Sequence, residues 1–333
     1  MTAGFCGFGF DIRQNHVQQR AENLPMRILY IGTGDIGLPA LRNLLDDAVH
    51  TVCALICQPD KPVGRKQVLT PPATKALAQE RGVPVHQPAR IRHAGELIAS
   101  LRPDIAVVMA YGQILPQAIL DLPPHGCLNL HASLLPKHRG AAPIQAAILG
   151  GDEETGITVM YMNAGMDTGD ILLMERLTIR SNENGGSLHD RLADLSPKAL
   201  RKALTLIAAG NAPRTPQDHA TATHIGKLER TDGVIEWSQP AEQIARRIRA
   251  FDPWPGSTTT LPGGEKLKLF PAIGISHAIG EPGTVLGAGP EGITVACGSG
   301  SLIFHELQAE GRKRMNAAAF LSGRPLGRGE QLG

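Results

Sequence analysis

Aromatic side chains make up only 4% of this 333-residue chain. That leaves little material for the rows of rings on which single-stranded nucleic acids stack. An excess of one charge is missing as well: 33 Lys and Arg stand against 31 Asp and Glu, a net charge of +2. A strongly basic nucleic-acid module is therefore excluded, and any RNA contact has to come from local clusters. The five cysteines, Cys6, Cys53, Cys57, Cys127 and Cys297, are odd in number and scattered. This argues against a disulfide framework and for reduced thiols in a cytoplasm. Cys53 and Cys57 fall in an apolar run and read as buried strand residues. No apolar run is long enough to span a membrane, no ligand spacing suggests a metal site, and no internal repeat is present. A cytoplasmic monomer is the expectation.

What is there is ordinary globular composition, 42% apolar and 19% charged, at a length that suggests two domains. Residues 1–25 are glycine-rich and then polar, without the charged start and apolar centre of a secretory signal. They read as a disordered extension, with Met26 as a candidate start. From Arg27 to 209, short apolar runs alternate with helical patterns: strands near 27–31, 50–57, 104–110 and 127–131, and helices near 36–45, 73–81 and 94–101. That alternation predicts βαβ units and a parallel sheet. A long helical segment over 187–209 contains Pro197, where a bend is expected. Residues 210–232, with Pro213, Pro216 and many small polar residues, read as a linker. Beyond it, over 233–333, a helix at 240–250 is followed by short β-like runs separated by glycine pairs, the pattern of a small β-barrel. The expected class is α/β: a Rossmann-like parallel-sheet domain over 26–209 and a small OB-like barrel over 233–333.

Residues 32–37, Gly-Thr-Gly-Asp-Ile-Gly, match the dinucleotide fingerprint GxGxxG after a strand and before a helix. The acid that should end the second strand comes late, at Asp60, among prolines. The competing reading is a tight turn whose glycines permit close packing. Between the two lies a helix start whose N–H groups receive an anion.

The chemistry is concentrated elsewhere. Along residues 127–131, Cys-Leu-Asn-Leu-His, a period of two puts Asn129 and His131 on one face of a strand. An amide donor and an imidazole at the carboxyl end of a parallel strand make a candidate polar site. The second piece is Gly-Met-Asp-Thr-Gly-Asp at 165–170, where two glycines bracket Asp167 in a loop between strands. Asp167 could orient His131 or hold a water beside it. Singly, each residue also has a bland reading: a turn residue, a satisfied core histidine, a loop-capping acid.

The stretches HASLLPKHRGAAPIQ (131–145) and GMDTGD (165–170) resemble the folate-dependent formyltransferases, a likeness that runs from Met26 to near Gly323. It includes QPDKPVGR at 58–65, VVMAYGQILP at 107–116 and AFDPWPGS at 250–257, and the AAPIQ ending, PDKPVGR and DPWP narrow it to the branch that acts on tRNA. The resemblance implies formyl transfer from 10-formyltetrahydrofolate to the amino group of initiator methionyl-tRNA, without a metal. It implies that Asn129, His131 and Asp167 are catalytic and that Ser133, Leu134, Leu135 and Pro136 hold the folate. The loop Gln58–Pro72, with Lys61, Arg65 and Lys66, is implied to approach the charged end of the tRNA, and the barrel domain to help bind it. Arg246 and Arg249 on the 240–250 helix are candidate phosphate contacts there. Further basic candidates are Arg247, the cluster Arg312-Lys313-Arg314, and Lys266 and Lys268 on one strand face. Trp254, between two prolines, reads as packing material rather than a base-stacking ring. Rival readings are formyl transfer to a nucleotide or sugar-nucleotide amine, a folate-dependent hydrolase or dehydrogenase, and an RNA-binding protein whose catalytic half is inert.

Overall fold

The computed structural model describes residues 25–64, 66–271 and 274–333. The chain divides into two compact units. The first takes the chain up to His131, then Ile157–Glu175 and Ala193–Gln217; the second takes Ala132–Gly156, Arg176–Leu192 and Asp218–Gly333.

In chain order the first strands are β1 (Arg27–Gly32), β2 (Thr51–Ile56), β3 (Lys61–Val63), β4 (Val68–Thr70), β5 (Val85–His86), β6 (Ile105–Met109) and β7 (Cys127–His131). They are followed by β8 (Arg139–Gly140), β9 (Glu154–Tyr161) and β10 (Ile171–Thr178). Seven of these form one sheet in the order β10-β9-β7-β6-β1-β2-β5. β5, β2, β1, β6 and β7 are parallel neighbours, and β9 runs antiparallel to β7. The parallel centre explains the composition of its strands. β1 is buried from Ile28 to Gly32, and all five residues of β6 are buried, because helices cover both faces of such a sheet. Leu29, Ile31, Ile56, Ile91, Ile98 and Val108 form part of its core, each side chain contributing about 1.5–3 kcal/mol when fully buried.

The expected irregular loop Gln58–Pro72 contains structure of its own. β3 and β4 pair as an antiparallel hairpin whose apolar residues Val63, Val68 and Leu69 are exposed. Its alternation was hidden because no side of it is buried, so no apolar period marks the strands.

The glycine-rich first loop serves packing. The N–H groups of Thr33 and Gly34 both donate to the carbonyl of Ala110. A Cβ on Gly32 would lie 2.7 Å from the Met109 carbonyl oxygen, and one on Gly37 2.6 Å from the Tyr30 hydroxyl. That hydroxyl donates to the Gly37 carbonyl at 2.8 Å, and burial pushes its pKa up, keeping the proton on. Asp60, the acid a nicotinamide ribose would need, accepts hydrogen bonds from Gln87 and Lys75. These two partners hold its carboxyl below its ordinary range. The dinucleotide reading fails on both counts.

The long helix Gly185–Ala208 continues through Pro197. Proline cannot donate to the carbonyl four residues back. Ser196 supplies the missing donor, its hydroxyl reaching the Ala193 carbonyl at 2.7 Å. Cys57, Cys127 and Cys297 are buried free thiols. Burial pushes Cys57 and Cys297 up to about 11 and Cys127 to about 12, so they stay protonated packing residues.

In the second unit, β11 (His224–Ile225) pairs in parallel with β8. The segment 210–232 is thus tied down by backbone pairing, although its Pro-rich polar composition reads as linker. The strands that follow pair antiparallel. The strands are β12 (Ser257–Thr260), β13 (Lys266–Leu269), β14 (Gly274–Ser276), β15 (Val285–Gly289), β16 (Gly292–Ala296), β17 (Ser301–Phe304), β18 (Glu306–Ala309) and β19 (Met315–Asn316). They make two four-stranded sheets, β12-β13-β18-β19 and β14-β17-β16-β15, a small barrel-like domain. At its core Trp237 meets Phe304 edge to face, centroids 6.0 Å apart, and its indole N–H donates to Thr259 at 3.0 Å. The helix Ala241–Ala250 buries Ile244 and Ile248, one turn apart. Trp254 is 48% exposed, contrary to its reading as packing material; the buried aromatic place in that loop is taken by Phe251.

Candidate active site

The alternation along β7 does what period two requires. Cys127, Leu128 and Leu130 are buried in the sheet, and Asn129 and His131 share a face. The structure brings Asp167 to them. The Asn129 amide donates to Asp167 Oδ1 at 3.3 Å, and His131 Nδ1 stands 3.7 Å from Asp167 Oδ2. The first is a long hydrogen bond. The second is beyond hydrogen-bond range. His131 is 6% exposed and Asp167 14%, so an attraction between them is screened far less than on an open surface.

The Asp167 loop is unusual in its backbone. Asp167 has φ +53°, a left-handed conformation that costs about 1–3 kcal/mol for a non-glycine residue. It is held by local chemistry. Asn163 Oδ1 accepts from the Gly165 N–H at 3.0 Å and from the Thr168 hydroxyl at 2.8 Å. Gly169 lies so close to Tyr161 that a Cβ there would sit 1.7 Å from the Tyr161 carbonyl oxygen. Because the obstacle is backbone, Gly169→Ala is expected to destabilise the protein by about 1–3 kcal/mol or more. Denaturant unfolding reads this directly, and an unchanged midpoint would contradict it. Two residues that sequence reasoning missed support this loop, Asn163 and Gln217. Asn163 carries a weak signal, an Asn two residues before a glycine as in an Asx turn; Gln217, in a Pro-rich polar stretch, carries none.

In the second unit, the segment after β7 forms a tight, internally bonded turn. Ser133 is fully buried, and its hydroxyl donates to the Lys137 carbonyl at 2.6 Å. The Leu134 carbonyl accepts from the Lys137 N–H at 3.2 Å. Leu135 is buried and joined to Pro136 by a cis peptide. His138 Nε2 lies 2.7 Å from Asp152 Oδ2, and Gly140 approaches Ile225 so closely that a Cβ would meet its carbonyl oxygen at 2.1 Å. These contacts make the turn rigid, and they account for the density of polar and small residues in that stretch of sequence.

A cavity of ≈ 400 Å³ in the first unit is lined by Ala89, Arg90, Ile91, Arg92, Gly112, Gln113 and Ile114. It lies beyond the carboxyl end of β6, where ligands of open α/β sheets gather, and was not expected from the sequence. Among the described residues no group of three or more His, Cys, Asp or Glu is placed to hold a metal ion, and no helix is long and apolar enough to cross a membrane.

The predicted tRNA contacts are dispersed. Lys61 and Lys66 are exposed on the β3–β4 hairpin, while Arg65 lies outside the described residues. Arg246 pairs with Glu242 at 3.7 Å. Arg249 donates to the Glu183 carbonyl at 3.1 Å, and burial, then Arg246, lowers its pKa. Arg247 donates to the Asp232 carbonyl. The helix therefore spends much of its basic character on internal bonds. Lys268 and Arg314 instead flank one ring, Phe270, at 5.3 and 3.9 Å from its centroid.

Two family descriptions match the chain: formyl transferase over residues 26–204, and formyl transferase, C-terminal domain, over residues 227–325. A methionyl-tRNA formyltransferase of Akkermansia muciniphila is 48% identical over 307 residues, covering 90% of this chain and 97% of that protein. One from Geobacter sulfurreducens is 46% identical, covering 92% and 97%. Among solved structures, an N-formyltransferase from Helicobacter canadensis with folinic acid and dTDP-3-aminofucose is similar with a TM-score of 0.61 at 16% identity, covering 84% of this chain and 99% of that one. HypX from Aquifex aeolicus with tetrahydrofolic acid is similar with a TM-score of 0.58 at 19% identity, covering 89% and 47%. These two likenesses establish the fold.

Proposed function

This chain belongs to the formyl transferase family, and we propose that it moves the formyl group of 10-formyltetrahydrofolate onto the amino group of initiator methionyl-tRNA. Relatives that match over nine-tenths of the chain are named methionyl-tRNA formyltransferases. The observation that carries the chemistry is the convergence of Asn129, His131 and Asp167 at the end of β7. The donor supplies an activated formyl carbon; the chain's own residues do the rest. Negative charge develops on the formyl oxygen as the neutral amine attacks. An amide carries two N–H groups, so Asn129 can hold Asp167 with one and the formyl oxygen with the other. A protonated His131 is a second donor to that oxygen. Asp167, facing both, accepts the proton that the amine sheds; that proton passes to the folate N10 as its bond to the formyl carbon breaks, so the products are the formylated amine and tetrahydrofolate. The cavity beside Gln113 is of a size for a flat heterocycle, and the rigid turn Ser133–Pro136 fits the folate role that the resemblance gives it. The exposed hairpin with Lys61 and Lys66 suits phosphate contact near the tRNA end, the role the resemblance also gives Arg65.

The test supplies 10-formyltetrahydrofolate with charged initiator tRNA and, separately, with a sugar-nucleotide amine and with a glycinamide ribonucleotide. Formylated methionyl-tRNA is expected, with no turnover on the small amines. Turnover on a small amine but not on the tRNA overturns the assignment.

A further inference from the structure

We propose that Gln217 is a positioning residue for this transfer: its carboxamide clamps two carbonyls of the 163–169 loop and so holds the Asp167 carboxylate at Asn129 and His131. The inference rests on the function proposed above.

Gln217 is 6% exposed. Its Nε2 donates to the Asp167 carbonyl at 2.9 Å and to the Gly169 carbonyl at 2.7 Å. The same nitrogen lies 3.9 Å from Met160 Sδ, and Met160 is the cross-strand partner of Asn129. One side chain thus touches both the loop that carries Asp167 and the strand position opposite Asn129. The segment that delivers it is fixed. Thr215, two residues earlier, exchanges both backbone hydrogen bonds with Ile171, at 2.8 and 3.0 Å. Ile171 begins β10, directly after the Asp167 loop.

The chemistry of the contact is specific. Two carbonyl oxygens need two N–H bonds from one point, and a primary amide is the uncharged side chain that supplies them. A hydroxyl has one hydrogen, and a carboxylate has none and would repel both oxygens. The loop also needs an external clamp. Asp167 is held in left-handed backbone, which a free loop would relax. Relaxation would turn the carboxylate away from the pair it serves.

The experiment uses the full chain in the methionyl-tRNA assay, wild type first. A wild type that forms no formylated methionyl-tRNA overturns the functional reading itself, separately from the role of Gln217. With an active wild type, Gln217→Met, which keeps length and loses both donors, is expected to lower kcat about 10–100-fold, as a roughly 1 Å misplacement does. Both KM values should stay within about threefold, because neither substrate is bound by Gln217. In an Asp167→Asn background the same change should lower kcat by less than about threefold further, because its effect passes through Asp167. Gln217→Glu adds a pH signature. As pH falls, the introduced carboxyl protonates and regains one donor, so activity recovers relative to wild type. Should the Met variant fail to fold, the Glu variant's pH profile decides. An unchanged kcat, a rise in KM alone, full additivity with Asp167→Asn, or a pH-independent Glu variant overturns the proposal.

Discussion

Asn129→Ala is expected to lower kcat by about 10²–10³-fold, the usual cost of removing one oxyanion donor from a preorganised site. The side chain is half-buried in the middle of a strand whose other residues are buried, and it is polar, so its removal takes away little buried apolar area. Its side-chain hydrogen bond to Asp167, at 3.3 Å, is too long to contribute much to stability. The thermal midpoint should therefore move by only a few degrees, and both KM values should hold, because the interaction strengthens only as charge develops on the formyl oxygen. Asn129→Asp is the sharper companion. It keeps the shape, removes the donors and places a second carboxylate beside Asp167, and it should be at least as damaging. Steady-state formylation with charged tRNA measures both. An alanine variant within tenfold of wild type would remove Asn129 from the chemistry.

Asp167→Asn is expected to lower kcat by about 10²–10⁴-fold, the range for losing a positioned acid–base group. The choice of asparagine matters. Asp167 has φ +53°, a region that Asn tolerates better than most residues. The variant should keep the loop and change only the charge and the donor pattern. The new amide must present its N–H either to Asn129, itself a donor at that position, or to His131. In both cases the negative charge facing His131 is gone. Asp167→Ala adds backbone strain to the lost carboxylate and should also destabilise the protein, so the two variants separate chemistry from folding. Wild-type turnover in the Asn variant, measured beside its unfolding midpoint, would reduce Asp167 to a loop residue.

Both predictions concern residues that were legible in the sequence for a physical reason. Strand periodicity is local: Asn129 and His131 share a face because they are two residues apart, whatever surrounds them. Glycines bracketing an acid between two strands likewise mark a loop where close approach is needed, and Gly169 against Tyr161 meets that need. The basic clusters were less legible. Charge in sequence does not say whether a guanidinium faces solvent or a carbonyl, and Arg247 and Arg249 turn out to donate inward. Trp254 failed for the same reason, since burial is a property of neighbours that the chain brings from far away.

The fingerprint at 32–37 shows where local reading stops. Its spacing is that of a dinucleotide loop, but the Ala110 carbonyl takes the loop's N–H groups and Gln87 and Lys75 take Asp60. Those partners are 15 to 77 residues away, beyond the six residues of the fingerprint itself.

The sequence by itself determined the βαβ alternation, the antiparallel second domain, the shared face of Asn129 and His131, and, through its motifs, the family. Each depends on residue type and short spacing. Only the tertiary structure decided that Asp167 reaches Asn129 across 38 residues and that the first loop is occupied by its own protein. It also decided that a glutamine from a Pro-rich stretch, 50 residues beyond Asp167, holds that loop in place. Polar groups find partners by three-dimensional proximity, and hydrogen-bond satisfaction leaves no period in the chain to read.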